Sequence, residues 1–364
     1  MSKLKRLGVL TGGGDCPGLN PAIKAVTKKA LSFGIEVVGI REGWKGLVEQ
    51  GAEWTMPLCA DDVRHIDRQG GTILRTSRTN PFKKPENLKA LLANFKRLSL
   101  DGLVAIGGED TLGVANRLFN EHKLPVVGVP KTIDRDLSGT DYTLGFESAL
   151  QVITDSVDSL RSTAESHSRV FVVEIMGRHA GHLTLRGAIS AGASLALIPE
   201  HAFEVEKVCH LLKERVKHGI RYGIVFVSEG ALPKGGEAVL SGSEKDDFGH
   251  VRLGGIADWL ATQIQKQAGL ECRSLNLSHL QRGGKPVAYD RRMGFYFGTA
   301  AVEAAHAGHF GQMASLQKGR VTLVPLSAAV GELRVVNLAQ CYDTDHYRAK
   351  QSILGATEPI ESGE

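Results

Sequence analysis

Short apolar runs return regularly along the chain, and stretches of helical character lie between them. The amino-terminal part shows a predicted strand in LKRLGVLT, a helix with a glycine stop in NPAIKAVTKKALSFG, and a second strand in IEVVGI. This alternation predicts an α/β fold whose mainly parallel strands are joined by crossover helices. Further strands are predicted in LDGLVAIGG, KLPVVGVPK, HSRVFVVEIMG, ASLALIPE, YGIVFVSEG and RVTLVPL, and the polar ending TEPIESGE is expected to fray.

The bulk properties narrow the class of protein. A length of 364 residues exceeds what one hydrophobic core ordinarily holds, so we expect two lobes. The five cysteines are scattered without a CxxC pair, which indicates neither a disulfide framework nor a zinc site. A net charge of +4 without a Lys/Arg block favours small anions over nucleic acid as partners. No apolar run is long enough to cross a membrane, and no apolar core of a secretory signal is recognisable. We therefore expect a cytoplasmic protein without a membrane partner.

Two glycine-rich stretches follow predicted strands, and ligands of open parallel sheets bind where strands end. TGGGDCPGLN, which contains Gly14, could bring backbone amides close to a phosphate or could be a plain glycine turn. IGGEDTLGVANRL places Glu109 and Asp110 at the start of a predicted helix. Their carboxylates could hold magnesium beside phosphates, or could favour the helix dipole with Thr111 as an ordinary cap.

A third stretch, VGVPKTIDRDLSG, ends an apolar run with a lysine and two aspartates. Asp134 and Asp136 lie two residues apart, a spacing that lets both side chains face one pocket. One carboxylate can take a proton from a hydroxyl group while the other positions a metal or the nucleophile. Lys131, and also Arg135, would neutralise phosphate charge.

Two later stretches contribute cations. EIMGRHAGHLTLRGAI places Arg178 after a strand-ending glycine, and ECRSLNLSHLQRGGKPVAYDRR contains Arg273, His279 and Arg282. Arginine suits bidentate binding of phosphate. A lone histidine such as His279 is more often structural than catalytic, and both interpretations stay open.

In this order, the stretches resemble the 6-phosphofructokinase family. The resemblance covers residues 5 to about 300 and rests on GGGDCPGLNPAI, GGTILRTSR, GGEDT, PKTIDRD, MGRHAGHL and LSHLQRGGKPVAYDR. It implies a magnesium-dependent phosphotransferase with two lobes, each a mainly parallel sheet flanked by helices. The implied phosphoryl-donor lobe comprises residues 1–145 plus about 281–335, and the sugar-phosphate lobe comprises 146–280 plus about 336–364.

The resemblance also implies roles for single residues. Asp134 matches the general base that deprotonates the sugar 1-hydroxyl, and Thr132 and Asp136 stand beside it as substrate and metal supports. Glu109 matches the magnesium ligand. The residues matching those that hold the transferred phosphoryl group are Gly14 and Arg78, with Arg178 nearby. Those matching the fructose 6-phosphate pocket are Met176, Gly177, Glu229, His279 and Arg282.

Two further arginines bear on assembly. Arg169 and Arg273 match arginines that reach the 6-phosphate from a neighbouring subunit. The resemblance therefore implies a homo-oligomer, a dimer or a tetramer, with shared active sites. Lys24 and Lys28 fall at two basic effector positions of the family, but the other effector residues have no match, so we expect no allosteric control.

The departures from the ATP-using pattern concern the donor. ATP-dependent members have sequences like GGDGS and PGTIDND, whereas this chain has GGEDT and PKTIDRD. Asp110 and Lys131 thus replace glycines, which is the pattern of the pyrophosphate-dependent type. Both side chains would fill the space of the nucleotide α-phosphate and ribose, and Lys131 can neutralise the distal phosphate of pyrophosphate. Arg135 replaces the usual asparagine, which bears on the geometry of the acceptor site.

We therefore predict reversible phosphoryl transfer from pyrophosphate to fructose 6-phosphate with Mg²⁺. One alternative is an ATP-dependent 6-phosphofructokinase, against which Asp110 and Lys131 argue. The other is a catalytically silent sugar-phosphate-binding subunit, against which the base Asp134 argues. The acceptor range stays open, because another ketose phosphate such as sedoheptulose 7-phosphate could fit the same pocket.

Overall fold

The computed structural model describes residues 4–236, 240–245, 248–249 and 251–352. Its strands, in chain order, are β1 (Arg6–Thr11), β2 (Glu36–Ile40), β3 (Thr55–Leu58), β4 (Gly102–Gly107), β5 (Val126–Pro130), β6 (Val170–Ile175), β7 (Leu195–Leu197), β8 (Gly223–Ser228), β9 (Leu240–Lys245), β10 (Val251–Leu253), β11 (Cys272–Asn276), β12 (Gln312–Gln317), β13 (Arg320–Pro325), β14 (Tyr342–Asp343) and β15 (Arg348–Ala349). Each apolar run predicted to be a strand forms one. The ending TEPIESGE lies outside the described residues.

Helices connect most of these strands. They are α1 (Leu19–Ser32), α2 (Lys45–Val48), α3 (Pro85–Arg97), α4 (Glu109–His122), α5 (Phe146–Ser166), α6 (His182–Ala191), α7 (Val205–Lys217), α8 (Ile256–Ala268), α9 (Ala288–His306) and α10 (Leu338–Cys341). None of the helices in the described ranges combines the length and the apolar character needed to cross a membrane.

The first sheet has seven strands in the order β13-β12-β5-β4-β1-β2-β3. Strands β2, β1, β4, β5 and β12 pair in parallel, and β3 and β13 add antiparallel strands at the two edges. Every residue of β4 and β5 is buried. This burial on both faces explains why their sequences are continuous apolar runs rather than alternating ones.

The second sheet has four parallel strands in the order β11-β6-β8-β7. Together the two sheets confirm the predicted α/β fold. Strand β11 was not predicted, because its sequence CRSLN is mostly polar and it lies at a sheet edge where Cys272 is its one buried residue. Strand β12 was also missed, because polar residues flank its short buried centre.

Helix α9 packs closely along α1 because two of its residues are glycines. A β-carbon on Gly294 would lie 2.7 Å from Pro21 Cβ, and one on Gly298 would lie 2.7 Å from the Ala22 carbonyl oxygen. Both distances are too short for any larger residue. The close contact attaches α9, which follows the second sheet in the chain, to a helix that flanks the first sheet.

The strand registers bring the loops of the site together. Leu10 of β1 pairs with Ala105 of β4, and Ala105 pairs with Gly128 of β5, so these three strands end side by side. In the second sheet, Ile175 pairs with Ser228, so β6 and β8 also end together. Loops that follow neighbouring parallel strands converge at one edge of the sheet.

Candidate active site

One cavity of about 170 Å³ opens where the loops after β1, β4, β5, β6 and β8 meet. It gathers most of the residues that the sequence predicts for the site. The predicted residues in its wall are Gly14, Arg78, Glu109, Asp110, Lys131, Thr132, Asp134, Asp136, Arg178, Glu229 and Arg282.

The glycine loop after β1 brings main-chain atoms close to this cavity. A β-carbon on Gly12 would collide with the side chain of Thr111, and Gly13 has a φ of +78°, so larger residues are disfavoured at both positions. A β-carbon on Gly14 would lie 2.8 Å from Arg282 Nη1. The loop therefore has a packing reason for Gly12 and Gly14 and a conformational reason for Gly13, and it brings main-chain atoms to the cavity.

Glu109 and Asp110 form the first turn of α4. The N-cap of this helix is Gly108, so the alternative in which Thr111 caps it is wrong. Thr111 is instead buried against Gly107. The two carboxylates both line the cavity and lie at the positive end of the helix dipole, so the dipole interaction is present and the magnesium role stays a prediction.

Lys131 is a buried cation in the cavity wall, only 3% exposed. Its Nζ donates a hydrogen bond to the carbonyl oxygen of Gly14. Burial lowers the pKa of the ammonium group, and the nearby guanidinium groups of Arg282 and Arg78 lower it further. An anion in the cavity would favour the charged form of this lysine.

Asp134 and Asp136 face the same cavity. Burial raises the pKa of Asp134, while the charges of Arg282 and Arg178 act in the opposite direction. The pKa of Asp136 is raised to about 7 by burial and then by the charge of Asp134. The backbone N–H of Asp134 donates to Thr132 Oγ1 at 3.1 Å, which orders the turn. Carboxyl groups with raised pKa values can exchange protons near neutral pH.

Glu229 approaches the same charges from the second sheet. Burial and the charge of Asp134 raise its pKa to about 7, and Arg178 and Arg282 partly offset that rise. Its backbone N–H donates to Ile175 O at 2.8 Å, which holds the end of β8 against the end of β6. The cavity therefore combines carboxyl groups from both sheets with arginines.

Met176 and Gly177 lie behind the cavity wall rather than in it. The N–H of Met176 donates to Oε1 of the fully buried Gln281 at 3.1 Å, and Gln281 Nε2 donates to Ser278 O at 3.1 Å. Gln281 thus ties the loop after β6 to the helical turn Ser278–Arg282. The sequence interpretation gave no role to this glutamine, although it stands inside the quoted LSHLQRGG stretch.

The structure does not bring Arg169, Arg273 and His279 to the cavity of this chain. Arg169 Nε and Arg273 Nη2 lie 2.8 Å and 3.1 Å from the same atom, Glu271 Oε1. His279 is exposed, and its Nδ1 lies 3.0 Å from Ser278 Oγ. The two arginines therefore form a separate cluster around one carboxylate.

Arg135 is a buried side chain outside the cavity wall, which corrects the expectation that it reaches phosphate. Its Nε donates to Asp141 O at 3.0 Å, and its guanidinium lies 5.2 Å from the ring centroid of Phe146. Its φ of +57° is a left-handed conformation. The asparagine expected here from the family pattern adopts that conformation more readily than arginine.

Among the cavity residues that were not predicted are Asp15, Cys16, His179 and Leu333. The first three stand within or beside quoted motifs, so proximity along the chain could have identified them. Burial raises the pKa of Cys16 to about 12, which makes it a neutral thiol. Leu333 comes from the part of the chain where the resemblance is weakest, and no local signal identifies it.

Asp290 supports the segment that follows the loop containing Asp134. It is fully buried and accepts hydrogen bonds from Gly145 N at 2.7 Å and Ser148 Oγ at 2.6 Å. In the same segment, Thr143 Oγ1 donates to Thr132 O at 2.7 Å. Asp290 thus supports the loop without lining the cavity.

The two lysines at the expected effector positions differ in their surroundings. Lys24 Nζ lies 2.6 Å from Asp67 Oδ1 and donates to Arg64 O at 2.8 Å. Lys28 is exposed on α1. Lys24 thus has an anionic partner within the chain, and the lack of effector control stays a prediction.

A comparison with protein families matches residues 6–305 to the phosphofructokinase model. The pyrophosphate–fructose 6-phosphate 1-phosphotransferase of Streptomyces coelicolor is 48% identical over 335 residues, which cover 92% of this chain and 97% of that protein. The ATP-dependent 6-phosphofructokinase 3 of the same organism is 44% identical over 332 residues, which cover 91% and 96%.

Solved structures agree on the fold. The pyrophosphate-dependent phosphofructokinase from Nitrosospira multiformis superposes with a TM-score of 0.83 at 23% identity, covering 95% of this chain and 89% of that one. A phosphofructokinase structure from Saccharomyces cerevisiae gives a TM-score of 0.77 at 31% identity and covers 89% of this chain and 45% of that one.

Proposed function

The chain belongs to the phosphofructokinase family, and we propose that it transfers a phosphoryl group from pyrophosphate to the 1-hydroxyl of fructose 6-phosphate. The products are fructose 1,6-bisphosphate and phosphate, and the reaction is reversible. Lys131 carries the donor assignment: it is a buried cation that contacts the glycine loop, in the same cavity as Asp110. The names of relatives at 48% identity support the same donor.

Electrostatics explain why this cavity suits pyrophosphate. The lysine ammonium is desolvated, and a doubly charged phosphate beside it would restore its preferred charged form. Asp110 adds a negative charge in the first turn of α4, in the space that the α-phosphate of a nucleotide would occupy.

Asp134 is the proposed general base. Its carboxylate faces the cavity, and burial raises its pKa towards the range in which a base accepts a proton from a hydroxyl group at neutral pH. As the 1-hydroxyl attacks the terminal phosphorus, its proton moves to Asp134 and the bond to the leaving phosphate breaks. Thr132 and Asp136 support the loop and the substrate from the same segment.

Cations in the wall would stabilise the charge that develops on the transferred group. Arg78 and Arg178 line the cavity from different loops, with Lys131 between the glycine loop and the base. Phosphoryl transfer depends mainly on positioning and on neutralising charge, so fixed cations are the chief requirement. Gly14 would bring main-chain atoms close to the transferred group. The residues proposed to bind the sugar phosphate are Glu229, Arg282, Met176, Gly177 and His279.

Magnesium fits this site through few protein ligands. In the described residues no group of three or more His, Cys, Asp and Glu side chains is placed to hold a metal. Mg²⁺ is commonly bound by one or two carboxylates together with substrate phosphates and water. The charge of Glu109 helps to raise the pKa of Asp136, so the two carboxylates lie close enough to interact. We propose that Glu109 and Asp136 hold Mg²⁺, which neutralises pyrophosphate charge when bound.

The proposed lobes follow the two sheets. The first sheet takes its strands from residues 6–130 and 312–325, and the second from 170–276. These ranges support a donor lobe of 1–145 plus about 281–335 and a sugar-phosphate lobe of 146–280 plus about 336–364. We further propose a cytoplasmic homo-oligomer, in which Arg169 and Arg273 serve the site of a neighbouring subunit.

A donor assay tests the proposal. Purified protein is incubated with Mg²⁺, fructose 6-phosphate and either pyrophosphate, ATP or no donor, and fructose 1,6-bisphosphate is measured. We expect product with pyrophosphate and little with ATP. A preference for ATP would support the function named for relatives at 44% identity instead, and no product with any donor would support a silent subunit. Sedoheptulose 7-phosphate as acceptor tests the sugar range.

Paired variants separate charge from volume in donor choice. Asp110→Gly should raise kcat/KM for ATP, and Asp110→Asn should do so only if charge rather than volume excludes the nucleotide. Lys131→Gly and Lys131→Met should both weaken pyrophosphate use, by roughly one to two orders of magnitude, because each loses a charge-assisted contact worth about 1.5–3 kcal/mol. A Lys131→Met enzyme with unchanged pyrophosphate kinetics would contradict the role of the ammonium group.

A further inference from the structure

A segment near the carboxyl end of the described chain contributes to the wall of the active-site cavity. Residues 331–336, the strap, follow the short turn Leu326–Ala329 and precede α10. They lie outside residues 6–305, the part matched to the family model. One of them, Leu333, nevertheless lines the cavity that holds the proposed base.

On one side the strap is hydrogen-bonded to loops of the first sheet. The backbone N–H of Arg334 donates to Asp136 O at 2.9 Å, and its Nη1 donates to Thr140 O at 3.0 Å. Ser138 Oγ donates to Glu332 O at 2.7 Å. The strap is thus fixed to the segment that directly follows the base.

On the other side the strap is hydrogen-bonded to elements of the second sheet's half. His182 Nε2, at the start of α6, donates to Arg334 O at 3.1 Å, since a carbonyl oxygen can only accept. The N–H of Val336 donates to Glu200 Oε1 at 2.8 Å. The strap therefore spans the gap between the two halves of the site.

Leu333 stands between two spaces. Besides the active-site cavity, it lines a larger cavity of about 740 Å³, together with residues 138–141, 317–318 and other strap residues. That second wall carries polar groups of several residues, and a space of this size with polar groups holds water. The Leu333 side chain is apolar and belongs to both walls, so it lies between this space and the active-site cavity.

We propose that the strap closes the active site across its two halves and that Leu333 determines acceptor specificity by excluding water. This inference rests on the proposed function. A base that can activate a sugar hydroxyl can also activate water, whose attack on pyrophosphate yields two phosphates and wastes the donor. Closing a site against water prevents such side reactions. Arg334 acts as the positioning residue that holds Leu333 in place.

The test measures two rates in Leu333→Ala and in the wild type. One is phosphate release from pyrophosphate with Mg²⁺ and no sugar, and the other is transfer to fructose 6-phosphate. We expect the ratio of hydrolysis to transfer to rise several-fold in Leu333→Ala, because the opening admits water while the base and the cations stay in place. An unchanged ratio in a folded variant would overturn the proposal.

Two further variants make the test specific. Val335→Ala shortens an apolar side chain of the same strap, 49% exposed, that lines only the larger cavity, and it should leave the ratio unchanged. A rise equal to that of Leu333→Ala would show a general effect of the strap and contradict the role of Leu333. Arg334→Ala should raise the ratio and lower kcat, because misplacement by about 1 Å can cost roughly 10²-fold. A wild type without transfer would refute the proposed function instead, independently of the hydrolysis measurement.

Discussion

The cations that are proposed to bind phosphate include two groups with different surroundings. Lys131 is 3% exposed and is held by a hydrogen bond to the glycine loop beside the proposed base. Arg169 and Arg273 instead converge on the carboxylate of Glu271, and 52% of the Arg273 side chain is exposed. The inner cation thus lines the active-site cavity, whereas the outer pair has its own counterion and does not line that cavity.

The energetics of the two groups differ accordingly. A buried ammonium group has a large desolvation cost, and its position is therefore tightly determined by the surrounding fold. An exposed ion pair contributes only about 0–1 kcal/mol, so exchanging Glu271 for a phosphate costs the arginines little. The comparison teaches that the fold fixes the position of the buried lysine tightly, whereas the outer arginines are held by an ion pair that other anions can replace at little cost.

The largest expected effect is at the inner group. Asp134→Asn keeps the shape of the base but removes its ability to accept a proton, so turnover should fall by about 10²–10⁴-fold. Binding of fructose 6-phosphate, measured by calorimetry, should persist because the arginines remain. Asp290→Asn, at a buried aspartate outside the cavity wall, is the matched control and should lose less turnover. Near-normal turnover in Asp134→Asn would remove the base assignment.

The outer group should give a smaller and differently placed effect. Arg273→Ala should weaken fructose 6-phosphate use by roughly one to two orders of magnitude, as expected for one charge-assisted contact of about 1.5–3 kcal/mol. Mixed subunits of Arg273→Ala and Asp134→Ala should regain activity, because one hybrid site then carries both native residues. Exchange of subunits without recovery would show that the arginine acts within its own chain.

A third prediction concerns pH. The pKa of Asp136 is raised to about 7, so between about pH 4 and 7 the folded chain holds a proton that the unfolded chain has released. The free energy of unfolding should therefore fall as pH rises through this window. Asp136→Asn should raise the Tm of the ligand-free protein more at pH 8 than at pH 4. Asp158→Asn, on the exposed face of α5, is the control, and an equal gain at both pH values would contradict the assignment.

The smallest effect is expected at Arg135. Because its side chain lies outside the cavity wall, Arg135→Asn should leave kcat/KM for both substrates unchanged. Loss of its hydrogen bond to Asp141 O costs about 1 kcal/mol, and the easier left-handed backbone of asparagine offsets part of that cost. Urea unfolding measures the balance. A marked loss of kcat/KM would place the arginine at the substrate.

Much of the site follows from local sequence. Apolar runs end where buried strands end, and in a parallel sheet those ends lie together, so Asp134, Glu109 and Arg178 could be grouped before their geometry was known. The family resemblance then supplied roles that periodicity cannot. Arg135 shows that proximity along the chain is not a sufficient guide. It directly follows Asp134, yet its side chain is buried outside the cavity wall.

Other features had no local signal. Strand β11 is polar at a sheet edge, and Gln281 acts through hydrogen bonds to a loop distant in sequence. Leu333 reaches the cavity only because the strap is hydrogen-bonded to both halves of the site. Such contacts depend on tertiary packing between segments far apart in the chain, which hydrophobic periodicity does not encode.

The order of strands in the first sheet also has a consequence for biosynthesis. Gln312 of β12 pairs with Val127 of β5, and all four strands of the second sheet lie between them in the chain. On the ribosome, the second sheet can therefore assemble as a continuous stretch, while the first waits for its last strands to emerge. Until then β5 has an unpaired edge directly beside the loop that contains Asp134. A nascent chain released before β12 would contain nearly every cavity residue. Its first sheet would nevertheless be incomplete, with an unpaired strand edge that can pair with other chains and that chaperones and proteases can reach.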